Sequence, residues 1–350
     1  MKLLIVTSNM SMGGAQRVTL TLTKWLVDKG IPTTIVTLGK LQQYVVDKEL
    51  SVISLDQTNS KDIFGAVSKL RKVIRGEKPT VLLTMGVPLC LYTVPALWGF
   101  KVHHIVSERN DPRHFLGKKI VAKVSRLLMS TAKGFVFQTK QAQEFYPVSV
   151  QKRSVVIPNP VMATNLPEAK GEEKTVVTMG RLTKQKNHKM LIRAFHSFRE
   201  KYPAYQLKIY GDGEMRDELE AYIADIGEEG SVILCGAHTD VHQKIANADF
   251  FVMSSDFEGM PNALMEAMAM GLPCISTDCP CGGPAYLIRD GENGILVPVG
   301  DAEKLSSAME LLAQDKALKE RVGMNAKTVR ETLSSENVCS LWYAYFKSLN

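Results

Sequence analysis

The chain has 350 residues, 45% of them hydrophobic and 23% charged, a composition that excludes disordered and fibrous classes and leaves room for two domains. Its six cysteines form no paired framework, which excludes a disulfide scaffold and points to reduced thiols in the cytoplasm. The net charge of +7 conceals a split: residues 1–160 hold 23 Lys/Arg against 9 Asp/Glu, and residues 161–350 hold 20 against 27, so the halves are expected to serve different roles.

The opening "MKLLIVTSN" has one Lys and a short apolar run ending in Thr-Ser-Asn, and it reads as a first buried strand rather than a signal peptide. Gly13 and Gly14 then allow a tight turn and close backbone approach before a helix beginning near Ala15. The spacing is neither GxGxxG nor GxxxxGK[ST], so neither dinucleotide nor P-loop binding is supported. Residues 79–100 carry no charge and have the length of a membrane span. Pro88 and Pro95 interrupt them, and a buried strand over Val81–Met85 followed by a helix with Pro88 in its first turn is the better reading.

Strand-like runs recur with helical patterns between them. "KLLIVT", "TTIVTL", "VLLTM", "HHIVS" and "GFVFQ" lie in the first half; "TVVTMG", "QLKIYG", "SVILCG", "FFVMSS" and "PCISTD" lie in the second. Continuous apolar strands alternating with helices indicate parallel sheets covered on both faces. The Pro-rich, then charged, run "VVIPNPVMATNLPEAKGEEKTVV" reads as a linker between them. The expected architecture is α/β, two doubly wound Rossmann-like domains facing across a cleft. Residues 1–160 and 161–335 would form the domains, with 336–350 as a C-terminal helix returning to the first. Ligands in such folds lie at the carboxyl ends of strands, beside helix N-termini.

The second half holds the polar residues that need explaining. In "SSDFEGMPNALMEAMAMGLPCIST", Glu258 falls on a loop after a strand, and Glu266 falls inside an apolar helix stopped by Gly271. A buried carboxylate needs a donor: sugar hydroxyls would serve for a ligand site, a Lys or Arg for a structural one. The helix start near Met260, Pro261, Asn262, Ala263 and Leu264 presents free amides and a positive dipole end suited to phosphate. In "VVTMGRLTKQKNHKMLIRAF", Arg181 and Lys186 lie between a strand and a helix, where a guanidinium can clamp a diphosphate and an ammonium adds a point charge. His238 and His242 have i, i+4 spacing but neither the Glu nor the third ligand of a metal site, and Thr239 or Asp240 reads as a helix cap there. Cys279-Pro-Cys281 lacks a second cysteine pair, so zinc is not expected.

Taken together, "GGAQRV", "IPNPV", "GRLTKQKN", "YGDGE", the E-x7-E of "EGMPNALME", "EAMAMGLPCISTD" and "GGP" at 282–284 resemble, in order, the retaining glycosyltransferases of family 4 with the GT-B fold. The resemblance implies that Arg181 and Lys186 grip the donor diphosphate and that Glu266 binds the ribose hydroxyls. It assigns Glu258 to the transferred sugar and the amides around Met260–Leu264 to phosphate and sugar. It implies no metal and no other cofactor. Where the family often has Ser-Glu-His, this chain reads "SERND", which leaves Arg109 in the histidine's place and Glu108 and Asp111 as carboxylates near the acceptor.

The expected protein is therefore a cytoplasmic glycosyltransferase. It would move a hexose or N-acetylhexosamine from a nucleotide sugar, UDP-linked, to a lipid-linked glycan of a bacterial surface polysaccharide. The rivals are a nicotinamide-dependent dehydrogenase, which lacks its GxGxxG, and a non-catalytic carbohydrate or membrane adaptor, which has no use for the Arg181, Lys186, Glu258 and Glu266 set. Residues 101–153 hold eleven Lys/Arg and three Asp/Glu. Within them Leu116, Ile120, Val124 and Leu127 share a helical face beside Lys119, Lys123 and Arg126, with Lys118 extending the basic surface. That pattern suits an anionic membrane at the inner face of the cell membrane; nucleic acid lacks the accompanying aromatic-basic motif.

Overall fold

The computed structural model describes residues 1–9, 14–39, 49–57, 62–114, 119–162 and 166–349, which divide into two compact units, Met1–Pro160 with Ser335–Asn350 and Val161–Ser334. Gly13, Leu116 and Lys118 lie outside the described residues.

The first unit begins β1 (Leu3–Thr7), α1 (Gly14–Asp28), β2 (Thr33–Thr37), β3 (Ser51–Ser54) and α2 (Ile63–Glu77). It continues through β4 (Val81–Met85), a 3-10 turn at Val87–Leu89, α3 (Cys90–Leu97), β5 (His103–Ser107) and α4 (Lys119–Met129). It closes with β6 (Gly134–Phe137), α5 (Lys140–Glu144), α6 (Val148–Gln151) and β7 (Ser154–Val156). Among the described residues its sheet has seven strands, all parallel, in the order β3-β2-β1-β4-β5-β6-β7.

The second unit begins β8 (Thr175–Met179), α7 (His188–Lys201), β9 (Gln206–Tyr210), α8 (Arg216–Asp225), β10 (Val232–Gly236) and α9 (Val241–Ile245). It continues with β11 (Phe250–Met253), α10 (Asn262–Met270), β12 (Cys274–Thr277), α11 (Gly283–Leu287) and β13 (Ile295–Val297). The helices α12 (Ala302–Gln314), α13 (Lys316–Ala326) and α14 (Val329–Thr332) complete it. Among the described residues its six strands, again parallel, run β10-β9-β8-β11-β12-β13. The final helix, α15 (Ser335–Ser348), belongs to the first unit and packs on α1. Its Tyr345 hydroxyl accepts from Phe135 N at 3.0 Å and donates to Arg153 O at 2.9 Å.

Both sheets are doubly wound. The chain lays strands outward in one direction, returns, and lays the rest in the other, so the order reverses between β1 and β4 and between β8 and β11. Central strands such as LLIVT of β1 and FFVM of β11 are buried along their whole length, as helices on both faces require. Beneath the helices lie Leu4, Val36, Leu70 and Leu82 in one unit and Val176, Phe195, Phe198 and Phe250 in the other. Each such side chain contributes roughly 1.5–3 kcal/mol by leaving water.

Three strands lie outside the apolar runs read from the sequence: β3, β7 and β13. Each is at a sheet edge, with three or four residues and only partial burial in β3 and β7. An edge strand has one neighbour and wetter faces, so it needs no continuous apolar run. β7 also takes Val155 and Val156 out of the expected linker. Residues 79–100 form β4, the 3-10 turn and α3, and no helix among the described residues is long and apolar enough to cross a membrane.

The basic helix α4 is turned as an amphipathic surface helix. It buries only Ala122, Ser125 and Met129, while Ile120 and Leu127 are 63% and 71% exposed and Val124 is exposed beside them. Lys119 and Lys123 are exposed as well. Arg126 departs from the expected basic row: its guanidinium donates to Pro112 O and lies 4.9 Å from the Phe145 ring centroid. Cation–π attraction and a carbonyl acceptor hold it against its own unit.

Candidate active site

The loop leaving β8 is fixed by the loop leaving β9. Gly180 N donates to Tyr210 O at 2.9 Å, Leu182 N to Asp212 O at 2.9 Å, and Met215 N to Leu182 O at 3.0 Å. Gly211 has φ +150°, and a Cβ there would stand 1.8 Å from Gly180 O, so only glycine lets the two backbones approach this closely. "YGDGE" is thus a buttress for the Arg181 loop. Arg181 itself is exposed, and its guanidinium forms no ion pair among the described residues. Its carbonyl accepts from Thr183 N at 2.9 Å and faces His188 Nε2 at 3.3 Å. Burial pushes His188 down to about 4, so near neutrality the ring is uncharged, and a carbonyl partner requires the Nε2–H tautomer.

Asn187 joins this loop to the one leaving β11. It adopts φ 45°, its side chain caps α7 by accepting from Met190 N at 3.2 Å, and its Nδ2 donates to Asp256 Oδ1 at 2.7 Å. Asp256 N donates to Gln185 O at 2.9 Å, Gln185 Nε2 to Phe257 O at 2.8 Å, and Ser254 Oγ to Lys186 O at 2.9 Å. Inside this stitching, Lys186 Nζ donates to Glu258 Oε1 at 2.6 Å, and Ser255 Oγ donates to the same oxygen at 2.7 Å. Lys186 and Glu258 are thus one largely buried ion pair, a link no sequence spacing displays. Behind it, a Cβ on Gly283 would stand 2.0 Å from Gly259 O, which explains the glycine of "GGP" by close approach.

Met260 and Pro261 are buried, Asn262 and Ala263 partly exposed, and Leu264 buried at the start of α10. Pro261 occupies the N-cap with no side-chain cap bond, so the first-turn amides are not taken by a capping side chain. Every residue from Leu264 to Met270 is buried, and Gly271 closes the helix at φ 86°. Glu266 is therefore a carboxylate on a buried helix. One partner that meets it is His242, whose Nε2 lies 2.9 Å from Glu266 Oε2. His242 sits 24 residues upstream on α9, and the tertiary fold brings the two together. Its i, i+4 partner goes elsewhere: His238 Nε2 lies 3.0 Å from Cys235 O and its Nδ1 3.6 Å from Asp240. Asp240 stands at the N-cap of α9 without making a capping bond and instead lies 3.6 Å from Lys244.

The Arg181–Lys186 loop and the Glu258–Leu264 segment follow β8 and β11, the two strands flanking the reversal of the second sheet. In an open α/β sheet this is where ligands bind. The arrangement offers one exposed guanidinium, one ammonium held by a carboxylate, uncapped amides and a second carboxylate, a set able to meet a polyanion bearing hydroxyl groups.

In the first unit, Gly14 is the first residue of α1, which follows β1 at the other reversal, and Gln16 Nε2 donates to Asn9 Oδ1 at 3.1 Å. Glu108 and Asp111, the carboxylates expected near an acceptor, lie just after β5. Glu108 accepts from Tyr146 OH at 2.9 Å and from Arg109 N at 3.0 Å; burial drives its carboxyl above the usual range and lowers the Arg109 guanidinium to about 10. Arg109 donates to Asn159 Oδ1 and to Ser107 Oγ. Asp111 accepts from Arg113 N at 2.9 Å and pairs with His114 Nδ1 at 3.0 Å. These groups brace the loop after β5.

A family model described as "Glycosyltransferase Family 4" matches residues 12–164, and one described as "Glycosyl transferases group 1" matches residues 165–329. An uncharacterized glycosyltransferase of Haemophilus influenzae is 25% identical over 341 residues, 95% of this chain and 96% of its own. A Campylobacter jejuni protein named GalNAc-alpha-(1->4)-GalNAc-alpha-(1->3)-diNAcBac-PP-undecaprenol alpha-1,4-N-acetyl-D-galactosaminyltransferase is 25% identical over 338 residues, 93% of each chain. Among solved structures, Anabaena HepE in complex with UDP and glucose shares the fold, with a TM-score of 0.87 at 18% identity over 99% of this chain and 100% of that one.

Proposed function

The chain belongs to glycosyltransferase family 4, with its GT-B fold, and we propose that it moves a hexose or N-acetylhexosamine from a UDP-linked donor to a lipid-linked glycan of a surface polysaccharide, with retention at the anomeric carbon and without a metal ion. The dehydrogenase reading finds no support in this membership. The observation that carries the proposal is the Lys186–Glu258 pair at the reversal of the second sheet, beside the uncapped start of α10. Arg181 and Lys186 hold the donor diphosphate and stabilise the departing UDP in place of a divalent ion. The amides from Met260 to Leu264 add the positive end of α10. Glu266 takes the ribose hydroxyls, and Glu258 contacts the transferred sugar. Donor binding on this reading is an exchange of partners, in which the diphosphate draws the Lys186 ammonium and the sugar takes up the capacity released on Glu258. The PP-undecaprenol glycan in the name of the Campylobacter relative supports a lipid-linked substrate.

Purified protein offered UDP-hexoses and UDP-N-acetylhexosamines with a polyprenyl-diphosphate glycan is expected to release UDP from one of them and to give an α-linked product by NMR. EDTA leaves the rate unchanged; complete loss restored by Mg²⁺ or Mn²⁺ contradicts metal independence. No release from any UDP sugar, together with no thermal stabilisation by UDP, overturns the donor assignment.

A lipid-linked acceptor is reached at a membrane, and α4 supports peripheral attachment there: Ile120, Val124 and Leu127 are exposed beside the exposed Lys119 and Lys123. Each lysine contributes roughly 1 kcal/mol near an anionic surface, screened by salt. The protein is expected to pellet with phosphatidylglycerol vesicles, poorly with phosphatidylcholine, and to be released by high salt. Lys119→Gln with Lys123→Gln weakens pelleting and leaves UDP binding intact. Equal pelleting with both vesicles, or none, removes the attachment.

A further inference from the structure

Glu266 meets a residue that lies outside the motifs quoted from the sequence. His242 Nε2 lies 2.9 Å from Glu266 Oε2, and both side chains are largely buried. The carboxylate projects from a helix whose other residues, Leu264, Met265, Ala267 and Met268, are almost fully hidden and apolar. A carboxyl group there either meets a donor or loses its charge. The imidazole meets it whichever form the ring takes, as a neutral Nε2–H or as imidazolium. A carboxylate has about four acceptor positions on its two oxygens, so a ring held at Oε2 orients the group without filling it.

We propose that His242 is the positioning residue of the donor site: it holds the Glu266 carboxylate in the orientation that receives the ribose diol of the nucleotide. The inference rests on the donor-site reading of Glu266 and adds a residue to it. His242 touches neither the sugar nor the diphosphate; it acts through Glu266 alone. A diol contact far from the reacting bond is made equally before and during transfer, so its loss raises KM far more than it lowers kcat.

The test is calorimetric binding of UDP and of 2′,3′-dideoxy-UDP, which lacks the diol, to the full chain. His242→Ala is expected to weaken UDP binding roughly tenfold, the order of one hydrogen bond to a charged group. The dideoxy analogue should bind as it does to the parent protein, so that discrimination between the two collapses. His242→Gln, which keeps an N–H donor, restores much of the discrimination, a rescue that a merely structural role does not predict. Should the Ala variant fail to fold, His242→Leu refills the space without a donor and is read in the same way. Glu266→Gln run in parallel separates two failures. If Glu266→Gln abolishes discrimination and the donor-less His242 variant retains it, the positioning role is overturned. If Glu266→Gln itself retains full discrimination, the ribose reading falls and the proposal falls with it.

Discussion

Glu108 and Glu258 are about equally hidden, 7% and 8% exposed, and each follows the carboxyl end of a parallel strand. Their company differs. Glu108 is held by a tyrosine hydroxyl and by backbone amides of its own loop, neutral donors with fixed positions. Glu258 is held by the ammonium of Lys186, at the end of a flexible stem, and by a serine hydroxyl. The first arrangement braces a loop and has no component that a ligand can draw away. The second contains a cation that a diphosphate can recruit, which makes it a pair able to change partners. Burial of an acid does not separate a structural from a functional role; the nature of its donors does.

The largest effect that tests this contrast is expected on turnover. Lys186→Ala should lower kcat by a factor on the order of 10²–10³, if its charge stabilises the departing UDP. It should also lower Tm, because Glu258 is left as a buried charge without its cation. A variant with parental kcat would make the Lys186–Glu258 pair as structural as Glu108. A smaller effect, on stability alone, is expected on the other side. Tyr146→Phe removes a donor from buried Glu108 and should cost about 1–3 kcal/mol, read as a lower midpoint in urea, while the affinity for UDP stays at the parental value. Loss of UDP affinity in a folded Tyr146→Phe protein would break the comparison.

The smallest effect is a pH dependence. Burial raises the folded-state pKa of Glu108 above its unfolded value, so the folded state binds more protons than the unfolded state between those two values. Its contribution is therefore fully present below the ordinary carboxylate pKa and is lost as pH rises toward the raised folded value. Urea midpoints of the parent protein should include this decline, and Glu108→Gln, which does not titrate, should lack that component. Identical pH profiles for the two would place Glu108 in a wetter setting than its partners imply.

Much of this was legible in residue order. Buried central strands announce themselves because two covering layers demand continuous apolar runs, as in "KLLIVT" and "FFVMSS". The Pro-interrupted run at 79–100 reads as strand and helix and forms both, with Pro88 in a 3-10 turn ahead of α3 rather than in its first turn. Loops carrying Arg181, Lys186, Glu258 and the start of α10 were placed after strands, and the structure brings them to one reversal of one sheet. Edge strands β3, β7 and β13 were not legible, because a strand with one neighbour needs no distinctive pattern. The apolar stripe of α4 had the same periodicity whether it faced core or solvent; its orientation appeared only with the buried Ala122, Ser125 and Met129.

Residue order carried the α/β class, the two-unit division of strands and helices, and the chemical types gathered in the second half, since these follow from local periodicity and from which groups tolerate which neighbours. Which donor meets which acid was decided by the tertiary structure. His242 reaches Glu266 over 24 residues, Lys186 reaches Glu258 over 72, and Tyr146 reaches Glu108 over 38. Hydrogen bonds operate over about 3 Å in space, and separation along a chain places no constraint on that distance until helices and strands have packed.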